Sequence, residues 1–277
     1  MQAPVVSIIM PSYKSKEKWL TESIDSVLMQ SYNNIELIII CDEPSHEIET
    51  LIKKYVKRDD RVRYIKNIKK FNIWKALNQW IFLSQWKYIA RIDDDDIRDD
   101  TNKLKKQVEF MDNNPEYGVC WVSLMKCINE EWEVFNTVIY KSDYKDIKDT
   151  MLQTCPLAHP SVLIRKSVFN ICWIYDPSCI TEDYDLWCRV GRFYKICNID
   201  SYIKYRIHEN SLSNSKNKRM IIKKSSFRVF WKYKKYYPNS FKVLIYRLIV
   251  DFILPERITK FLVKQKMNLF KNFKLNS

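Results

Sequence analysis

Four consecutive carboxylates lie near the middle of the chain, at Asp93, Asp94, Asp95 and Asp96. They follow a short apolar run, residues 88–92, whose pattern predicts a buried strand. Acids at the carboxyl end of such a strand lie where open α/β sheets bind ligands. Adjacent carboxylates repel each other, and oxygen ligands without sulfur suit a hard divalent cation such as Mg²⁺ or Mn²⁺. A solvated acidic turn would explain the same four residues without a ligand.

A second group of acids lies about 90 residues further along, in the segment TEDYDLW at 181–187. Thr181 can cap a helix there, and acids in the first turn complement the helix dipole. Glu182 or Asp183 at such a helix start could project into a cleft and act as a general base. A well-capped surface helix is the alternative that involves no chemistry.

The segments around these acids alternate between apolar runs and amphipathic stretches. Residues 5–10 and 35–40 are continuous apolar runs, typical of strands that are buried on both faces. Between them, apolar residues recur at helical spacing over residues 20–28. Strand, helix and strand over about 35 residues form a βαβ unit, which predicts a parallel sheet with a right-handed crossover.

The same patterns predict the remaining elements. Predicted helices cover residues 48–55, 72–83, 104–111 and 182–190, and predicted strands cover residues 62–65, 88–92, 202–207 and a less regular region at 118–140. The alternation indicates a doubly wound α/β half over residues 1–112, followed by a second half over 113–215.

Glycine is scarce, with Gly118 and Gly191 as its two occurrences. A G-x-G-x-x-G dinucleotide loop and a Walker P-loop both need glycine for close approach to phosphate, so both are excluded. An EF-hand is disfavoured because Arg98 stands where that calcium loop needs glycine. A bound nucleotide would therefore depend on side chains and a metal.

Positive charge is concentrated in the C-terminal segment. The 277 residues carry a formal net charge of +14, whereas residues 216–277 hold 17 Lys and Arg against two acids, a net of +15. Aromatic residues alternate there with Arg228, Lys232, Lys234 and Lys235; they are Phe227, Phe230, Trp231, Tyr233, Tyr236 and Tyr237. This composition suits the surface of an anionic bilayer. The alternative is a helical appendage that packs its aromatic side chains on the body.

The cysteines and the N-terminus bear on location. None of the eight cysteines forms a Cys-x-x-Cys pair or has zinc-site spacing, and no signal peptide precedes the first predicted strand. These features predict reduced thiols in a cytoplasmic protein. No apolar run approaches the roughly 20 residues of a membrane-spanning helix. The basic C-terminal segment, together with the lack of a spanning run, leads us to expect peripheral binding to the inner face of the plasma membrane.

Seven segments, taken together, resemble family 2 glycosyltransferases with the GT-A fold, of the bacterial surface-polysaccharide type. The segments are VSIIMPSY (6–13), NIELIIICD (34–42), YIARIDDDDI (88–97), KQVEFMDNNP (106–115), AHPSVLIRKSV (158–168), TEDYDLWCR (181–189) and YRIHENSLS (205–213). The resemblance implies an α/β, Rossmann-like catalytic domain with a mostly parallel central sheet over residues 1–215. A basic aromatic helical extension over 216–277 would follow it.

The resemblance implies a nucleotide-diphosphate sugar as donor. Pro11, Tyr13 and Asp42 match positions that line the nucleotide pocket of the family. The chain departs from the family at CDEP (41–44), where Asp-Asp-Gly-Ser is frequent, and at NIWK (72–75), which replaces a glycine-rich helix entry. Asn72 and Asn78 remain as candidate polar contacts to the donor.

The acidic turn matches the DxD motif of the family at Asp93, Asp94 and Asp95. The resemblance implies that Asp93 and Asp94, with Arg91 just before them, contact the donor, and that Asp95 binds the metal. His208 matches a late histidine that completes the metal site in some GT-A enzymes. The implied cofactor is Mn²⁺ or Mg²⁺, which bridges the two donor phosphates.

Asp183 matches the catalytic base of the family, and Glu182 matches its neighbour near the acceptor. The implied metal neutralises charge on the leaving diphosphate as a Lewis acid. Asp183 would accept a proton from the acceptor hydroxyl, which attacks the anomeric carbon from the opposite face. One displacement then inverts the anomeric centre without a covalent nucleophile. His159 is expected to be a structural or acceptor-side residue.

The resulting expectation is a metal-dependent, inverting hexosyltransferase of surface-polysaccharide (O-antigen or capsule) biosynthesis. Its donor would be a UDP-sugar, since UDP is the commonest nucleotide in the family, and its acceptor a glycan or a lipid-linked glycan. One alternative is a sugar nucleotidyltransferase, which should carry a glycine-rich loop where this chain has PSYK (11–14). The other is a non-catalytic nucleic-acid-binding protein that uses the basic tail. That alternative leaves both acidic motifs unexplained, so we expect no nucleic-acid partner.

Overall fold

A computed structural model describes residues 5–67, 77–78, 81, 84, 86–153, 155, 157–208 and 216–253 of the chain. Eight strands of these residues form a single sheet in the order β3-β2-β1-β4-β7-β5-β6, with β8 paired to β5. The strands are β1 Val6–Tyr13, β2 Ile35–Asp42, β3 Val62–Asn67, β4 Tyr88–Arg91, β5 Tyr117–Ile128, β6 Val134–Ile139, β7 Leu163–Arg165 and β8 Lys195–Arg206.

Helices cover the sheet and extend beyond it. They are α1 Glu17–Leu28, α2 His46–Arg58, α3 Lys103–Asn113, α4 Tyr144–Thr150, α5 Val168–Cys172, α6 Glu182–Val190, α7 Lys216–Tyr233 and α8 Ser240–Arg247, with 3₁₀ turns at His159–Ser161 and Lys234–Tyr236 and a π-helical turn at Leu248–Ile253. The predicted helix at 72–83 is described only at residues 77, 78 and 81, which are helical. Among the described residues, no helix has the length and apolar content needed to cross a bilayer.

The first half of the sheet is parallel, as the βαβ pattern predicts. Strand β1 pairs in parallel with β2 and with β4, and β2 pairs in parallel with β3. Every residue of β2 is buried, which agrees with its uninterrupted apolar sequence. Because the chain runs outward from β1 through β2 to β3 and then returns to β4 on the other side of β1, the topological switch point lies between β1 and β4.

The second half of the sheet differs from its prediction in two places. Strand β7 has three residues and lies antiparallel between β4 and β5, and such a short run gives no periodic signal. Strand β8 begins at Lys195, seven residues before the predicted start, because it pairs with β5 along most of its length. Polar residues inside it, among them Asn198 and Asp200, hide this pairing from the sequence pattern.

Two hydrophobic cores lie on opposite faces of the sheet. Alternate residues of β2 contribute to different cores, since Leu37 and Ile39 pack with helices α1 to α3, whereas Ile38 and Ile40 face the other side. The second core also contains aromatic residues of α6 and α7, including Trp187 and Phe230. Helix α7, which follows the body in sequence, thus shares a core with the sheet.

The two glycines, Gly118 and Gly191, differ in how much room their surroundings leave for a side chain. A Cβ on Gly118 would lie 2.8 Å from the Cβ and Cγ of Tyr194 and 2.9 Å from a methyl carbon of Val168, and the Tyr194 Cβ moves only with the backbone. A Cβ on Gly191 would lie 2.5 Å from the Tyr237 hydroxyl, the tip of a side chain. We expect Gly118→Ala to lower the free energy of unfolding by about 1–3 kcal/mol in a urea titration. Gly191→Ala should lower it by less, and equal losses would contradict this account.

Candidate active site

The acidic turn follows β4 at the switch point and is held in place from two sides. Ile97 and Lys204 exchange two backbone hydrogen bonds of 3.0 Å, which join the turn to β8. At the end of β8, the Arg206 amide donates to Asp96 Oδ1 and its Nε donates to the Asp95 carbonyl, each at 3.0 Å. From α1, the Ser23 hydroxyl donates to the Asp96 carbonyl at 2.6 Å. The four carboxylates therefore have fixed and different directions.

Asp96 points inward and is structural. It is buried, and burial raises the pKa of its carboxyl well above the usual range. The sequence shows four equivalent acids, whereas the structure buries Asp96 and leaves the other three half-buried. The reason is the Arg206 backbone amide, which binds Asp96 from a strand 110 residues away in sequence.

Asp95 and His208, the two predicted metal ligands, lie together. His208 Nε2 is 3.0 Å from Asp95 Oδ2, and the His208 ring packs on Trp19 with centroids 4.7 Å apart. Burial and the charge of Asp93 raise the pKa of Asp95, and His208 opposes the shift. Within the described residues, no group of three or more His, Cys, Asp or Glu side chains forms a metal site by itself. One carboxylate and one imidazole fit a cation whose other ligands come from a bound molecule.

Asp94 turns toward the end of β1. It accepts a hydrogen bond from the Ser15 hydroxyl, which in turn lies 2.8 Å from the Ser12 hydroxyl. Burial, followed by repulsion from Asp95, raises the pKa of Asp94 to about 8. Sequence reasoning missed Ser15, which lies outside the segments that carry the family resemblance. Its one signal is its position directly after a strand end at the switch point.

Arg91 connects the acidic turn to the second half of the sheet. Its Nη2 lies 2.8 Å from Asp93 Oδ1, and its Nη1 lies 3.0 Å from His159 Nε2. Strand β7 runs antiparallel to β4, with Leu163 opposite Ala90. This pairing places the residues that precede β7, including His159, beside the end of β4. The contact between Arg91 and His159 follows from that register.

His159 lies between the acidic turn and Asp183. Its Nε2 is 2.9 Å from the Tyr175 hydroxyl, and its Nδ1 is 3.8 Å from Asp183 Oδ2. The Trp187 ring of α6 meets the imidazole edge-on, with centroids 5.6 Å apart. Burial and the neighbouring Arg91 keep the pKa of His159 well below its usual value, so the ring is neutral at physiological pH. Asp93 and Asp183 thus line one site, joined by two side chains.

Glu182 and Asp183 form a pair of carboxylates with raised pKa values. Burial raises the pKa of Glu182 to about 7, with repulsion from Asp183 as the second cause. Burial also raises the pKa of Asp183, while a backbone hydrogen bond from Tyr184 opposes the shift. The predicted helix cap is wrong: in the described part of the chain, the Thr181 hydroxyl does not cap α6 and instead lies 3.0 Å from the Ser225 hydroxyl of α7.

Helix α6 is fixed from behind through Asp185, which is 1% exposed. Its Oδ1 accepts from Lys232 Nζ at 2.8 Å and from the Tyr233 hydroxyl at 3.1 Å. Its Oδ2 accepts from Arg189 Nη2 at 2.9 Å. Charged and aromatic residues of the basic segment therefore contribute to the position of the helix that carries Asp183.

The other predicted donor-site residues lie at the same edge of the sheet or outside the described residues. Pro11 is half-buried in β1, and Tyr13 at its end is exposed. Asp42, at the end of β2, accepts a 2.8 Å hydrogen bond from Asn67. The Asn78 amide makes two 2.9 Å hydrogen bonds with the Tyr175 backbone, so it holds Tyr175 in place, and its contact with a donor stays a prediction. Asn72 lies outside the described residues.

Comparison with known proteins gives the family. Residues 7–171 match the model described as glycosyl transferase family 2. An uncharacterized glycosyltransferase of Methanocaldococcus jannaschii is 31% identical over 96% of this chain and 95% of its own length. The O-antigen biosynthesis glycosyltransferase WbnJ of Escherichia coli is 30% identical over 76% of this chain and 83% of its own length. The chain belongs to glycosyl transferase family 2.

Solved structures show the same fold at low sequence identity. The mannosyltransferase PcManGT of Pyrobaculum calidifontis, in complex with GDP-Man and Mn²⁺, has a TM-score of 0.66 and 11% identity, over 91% of this chain and 71% of that one. TarS of S. aureus in complex with UDP-GlcNAc has a TM-score of 0.67 and 15% identity, over 88% and 72%. The central, mostly parallel sheet is that of the GT-A fold, which confirms the predicted fold class.

A change at Lys232 tests how strongly α7 holds α6. Lys232→Met removes one donor from the buried Asp185 carboxylate, and we expect it to lower the free energy of unfolding by about 1–3 kcal/mol in urea. In an Asp185→Asn background the same change should cost less, because the charge is gone. Lys235→Met, at an exposed lysine that contacts the Tyr236 ring, is the matched control and should cost about 0.5 kcal/mol or less. Equal losses for the two lysines would refute the role of Lys232.

Proposed function

We propose that this glycosyltransferase moves a hexose from a nucleotide-diphosphate sugar to an acceptor hydroxyl, with inversion at the anomeric carbon. One observation carries the proposal. Asp93 of the acidic turn and Asp183 of α6 line a single site, joined by Arg91 and His159. This proximity supports a donor side and a base side that face one space, as a single in-line displacement requires.

The donor side comprises the carboxyl ends of β1, β2 and β4. Tyr13, Asp42 and the Asp93–Asp94 pair, with Arg91, are the residues that we assign to the donor. With no glycine at any of these strand ends, side chains supply the contacts that a glycine-rich loop supplies elsewhere. We propose a UDP-sugar as the donor; of the two structural neighbours, TarS is in complex with UDP-GlcNAc and PcManGT with GDP-Man.

Asp95 and His208 are the residues that would hold a divalent cation, Mn²⁺ or Mg²⁺. Their oxygen and nitrogen atoms and their 3.0 Å separation support this assignment. A cation bound there supplies positive charge that stabilises the departing nucleotide diphosphate. Arg206, at the end of β8, donates a hydrogen bond from Nε to the Asp95 backbone carbonyl and so helps to keep Asp95 in position.

Asp183 is the proposed general base. Its raised pKa makes the carboxylate a stronger proton acceptor than an exposed aspartate. Its side chain is half-buried, so part of it remains accessible. The neutral His159 ring and the Arg91 guanidinium together link Asp183 to the acidic turn. As Asp183 takes the acceptor proton, the acceptor oxygen would bond to the anomeric carbon while the bond from that carbon to the diphosphate oxygen breaks and the nucleotide diphosphate leaves. This single displacement needs no covalent intermediate with the enzyme.

The acceptor and the setting follow from the family at a coarser level. A relative named for O-antigen biosynthesis supports a glycan or lipid-linked glycan acceptor in surface-polysaccharide biosynthesis. We propose a catalytic domain over residues 1–215, with nucleotide-binding (1–112) and acceptor-binding (113–215) halves, and a basic segment over 216–277. We also propose that the protein works at the cytoplasmic face of the plasma membrane.

Two substitutions separate the base from the donor site. In a panel of nucleotide sugars scored for metal-dependent release of the nucleotide diphosphate, we expect Asp183→Asn to lower kcat by at least about 10³-fold, because an amide accepts no proton. Calorimetry should show unchanged donor affinity for this variant. Asp95→Ala should abolish both transfer and the metal dependence of donor binding. Full transfer by Asp183→Asn would overturn the assignment of the base.

The paired carboxylates predict the pH dependence of kcat. Asp183 must be ionised to accept a proton, so activity should fall as the pH drops through its raised pKa. Burial and repulsion from Asp183 raise the pKa of Glu182 to about 7, whereas burial and Asp93 raise that of Asp183; Arg91, Asp93, His159 and Tyr175 surround the pair. Asp183 therefore ionises while Glu182 is still protonated and neutral, so Glu182→Gln should leave the acid limb of the kcat profile within about 0.5 pH unit of its place. A limb that moves by a full unit or more would contradict this order of ionisation.

A further inference from the structure

Helix α8 and the π-helical turn after it expose a row of large apolar side chains, here called the apolar stripe. Its members are Phe241, Ile245, Leu248, Ile249 and Ile253. Phe241 is 73% exposed and Ile253 70%, and the other three are also exposed. Their spacing of three or four residues places them on one side of the helical segment. Contiguous exposed apolar surface of this kind marks an interaction site.

The opposite side of α8 shows that the stripe is not a misplaced core face. Arg247 is 5% exposed, and its Nη1 donates to the Ser226 carbonyl of α7 at 3.0 Å. Val243, one turn earlier, is buried in the core that contains α6 and α7. The helix therefore turns an arginine toward the protein and a phenylalanine toward solvent, the reverse of the usual pattern of a surface helix. The contacts of Arg247 and Val243 fix this orientation.

We propose that the apolar stripe docks on the surface of an anionic lipid bilayer. Basic residues flank it in the sequence, where residues 216–277 carry a net charge of +15. In the turn just before α8, Lys234 Nζ lies 3.4 Å from the centroid of the exposed Trp231 ring, and Lys235 lies over the exposed Tyr236 ring. Apolar side chains beside lysines and interfacial aromatics match the two attractions that a charged bilayer offers.

Charge also argues against a second copy of this chain as the occupant. A symmetric dimer would bring the same surface of two molecules together, and with it two strongly basic segments. Like charges placed opposite each other oppose association. An anionic lipid surface instead neutralises these lysines, so it fits both the stripe and its surroundings.

The contacts correct which aromatic residues can reach lipid. Phe230, Tyr233 and Tyr237 are buried in the core with α6, so they face the protein and not a bilayer. Helix α7 thereby connects the stripe to the proposed base: Ser226 binds Arg247, and Lys232 binds Asp185. Docking would hold the cleft in a fixed relation to the bilayer. The idea that docking brings the site to a lipid-linked acceptor rests on the proposed function. The binding of the stripe to a bilayer does not.

The test is co-sedimentation of the full chain with vesicles of phosphatidylcholine, with and without phosphatidylglycerol. We expect binding that needs phosphatidylglycerol and weakens as salt rises. The double variant Phe241→Ser with Ile245→Ser should lose at least about tenfold in vesicle affinity, because two anchoring side chains are gone. Val134→Ser with Phe135→Ser removes two exposed apolar residues of β6 and is the matched control, which should bind as the unchanged protein does.

Several outcomes would overturn the proposal. Equal binding by the stripe variant, equal binding to neutral vesicles, or no binding by the unchanged protein would each do so. A concentration-dependent dimer that the stripe substitutions abolish would assign the stripe to a second copy. A lower melting temperature with unchanged vesicle binding would assign it to residues 254–277 of the same chain. Because vesicle binding needs no donor, it can hold even if every nucleotide sugar fails, and transfer to a water-soluble acceptor should survive the stripe substitutions.

Discussion

The contact of Arg91 with Asp93 and His159 is the interaction on which the site depends. It places one buried guanidinium among three acids, Asp93, Glu182 and Asp183, which belong to two distant parts of the chain. Carboxylates that are collected in a half-buried space repel each other, and a fixed cation offsets part of that cost. Without the Arg91 guanidinium, these three acids would repel one another more strongly.

The neutrality of His159 is the other half of this arrangement. A protonated imidazole beside Arg91 would place two cations within hydrogen-bond distance, and burial makes that state costly. The neutral ring can accept a hydrogen bond from Arg91 while its edge faces Asp183. The register between β4 and β7 sets all these distances, so the shortest strand of the sheet determines how the two sides of the cleft meet.

The apolar periods were sufficient to predict the parallel half of the sheet and the helices that cover it. The motifs also predicted which acids gather at the cleft, including the proximity of Asp95 and His208. The sequence could not show that Asp96 turns inward or that Thr181 bonds α7, because Arg206 and Ser225 impose these directions from far along the chain. The aromatic residues of α7 were ambiguous for the same reason: burial of Phe230 depends on a core that no local pattern reveals.

Scarcity of glycine has a visible effect on the backbone at the cleft. Lys14 and Glu43, directly after β1 and β2, adopt left-handed conformations with φ of 53° and 47°. Such conformations cost non-glycine residues about 1–2 kcal/mol each, so the surrounding fold must enforce them. Both residues follow strands whose ends we assign to the donor. Glu43 lies in CDEP (41–44), the segment that departs from the Asp-Asp-Gly-Ser pattern frequent in the family.

The hold of α7 on Asp185 has a consequence for how this chain can be divided. The family match ends at residue 171, before Asp183, His208 and the helices that follow. A chain cut near residue 215, where composition changes, would keep every proposed catalytic group but strip the inner carboxylate of two of its three donors. It would also remove Phe230 and Tyr233, the aromatic residues of α7 that share a core with α6. Swapping C-terminal segments among relatives should therefore succeed only when the incoming helix brings its own lysine and tyrosine to that acid.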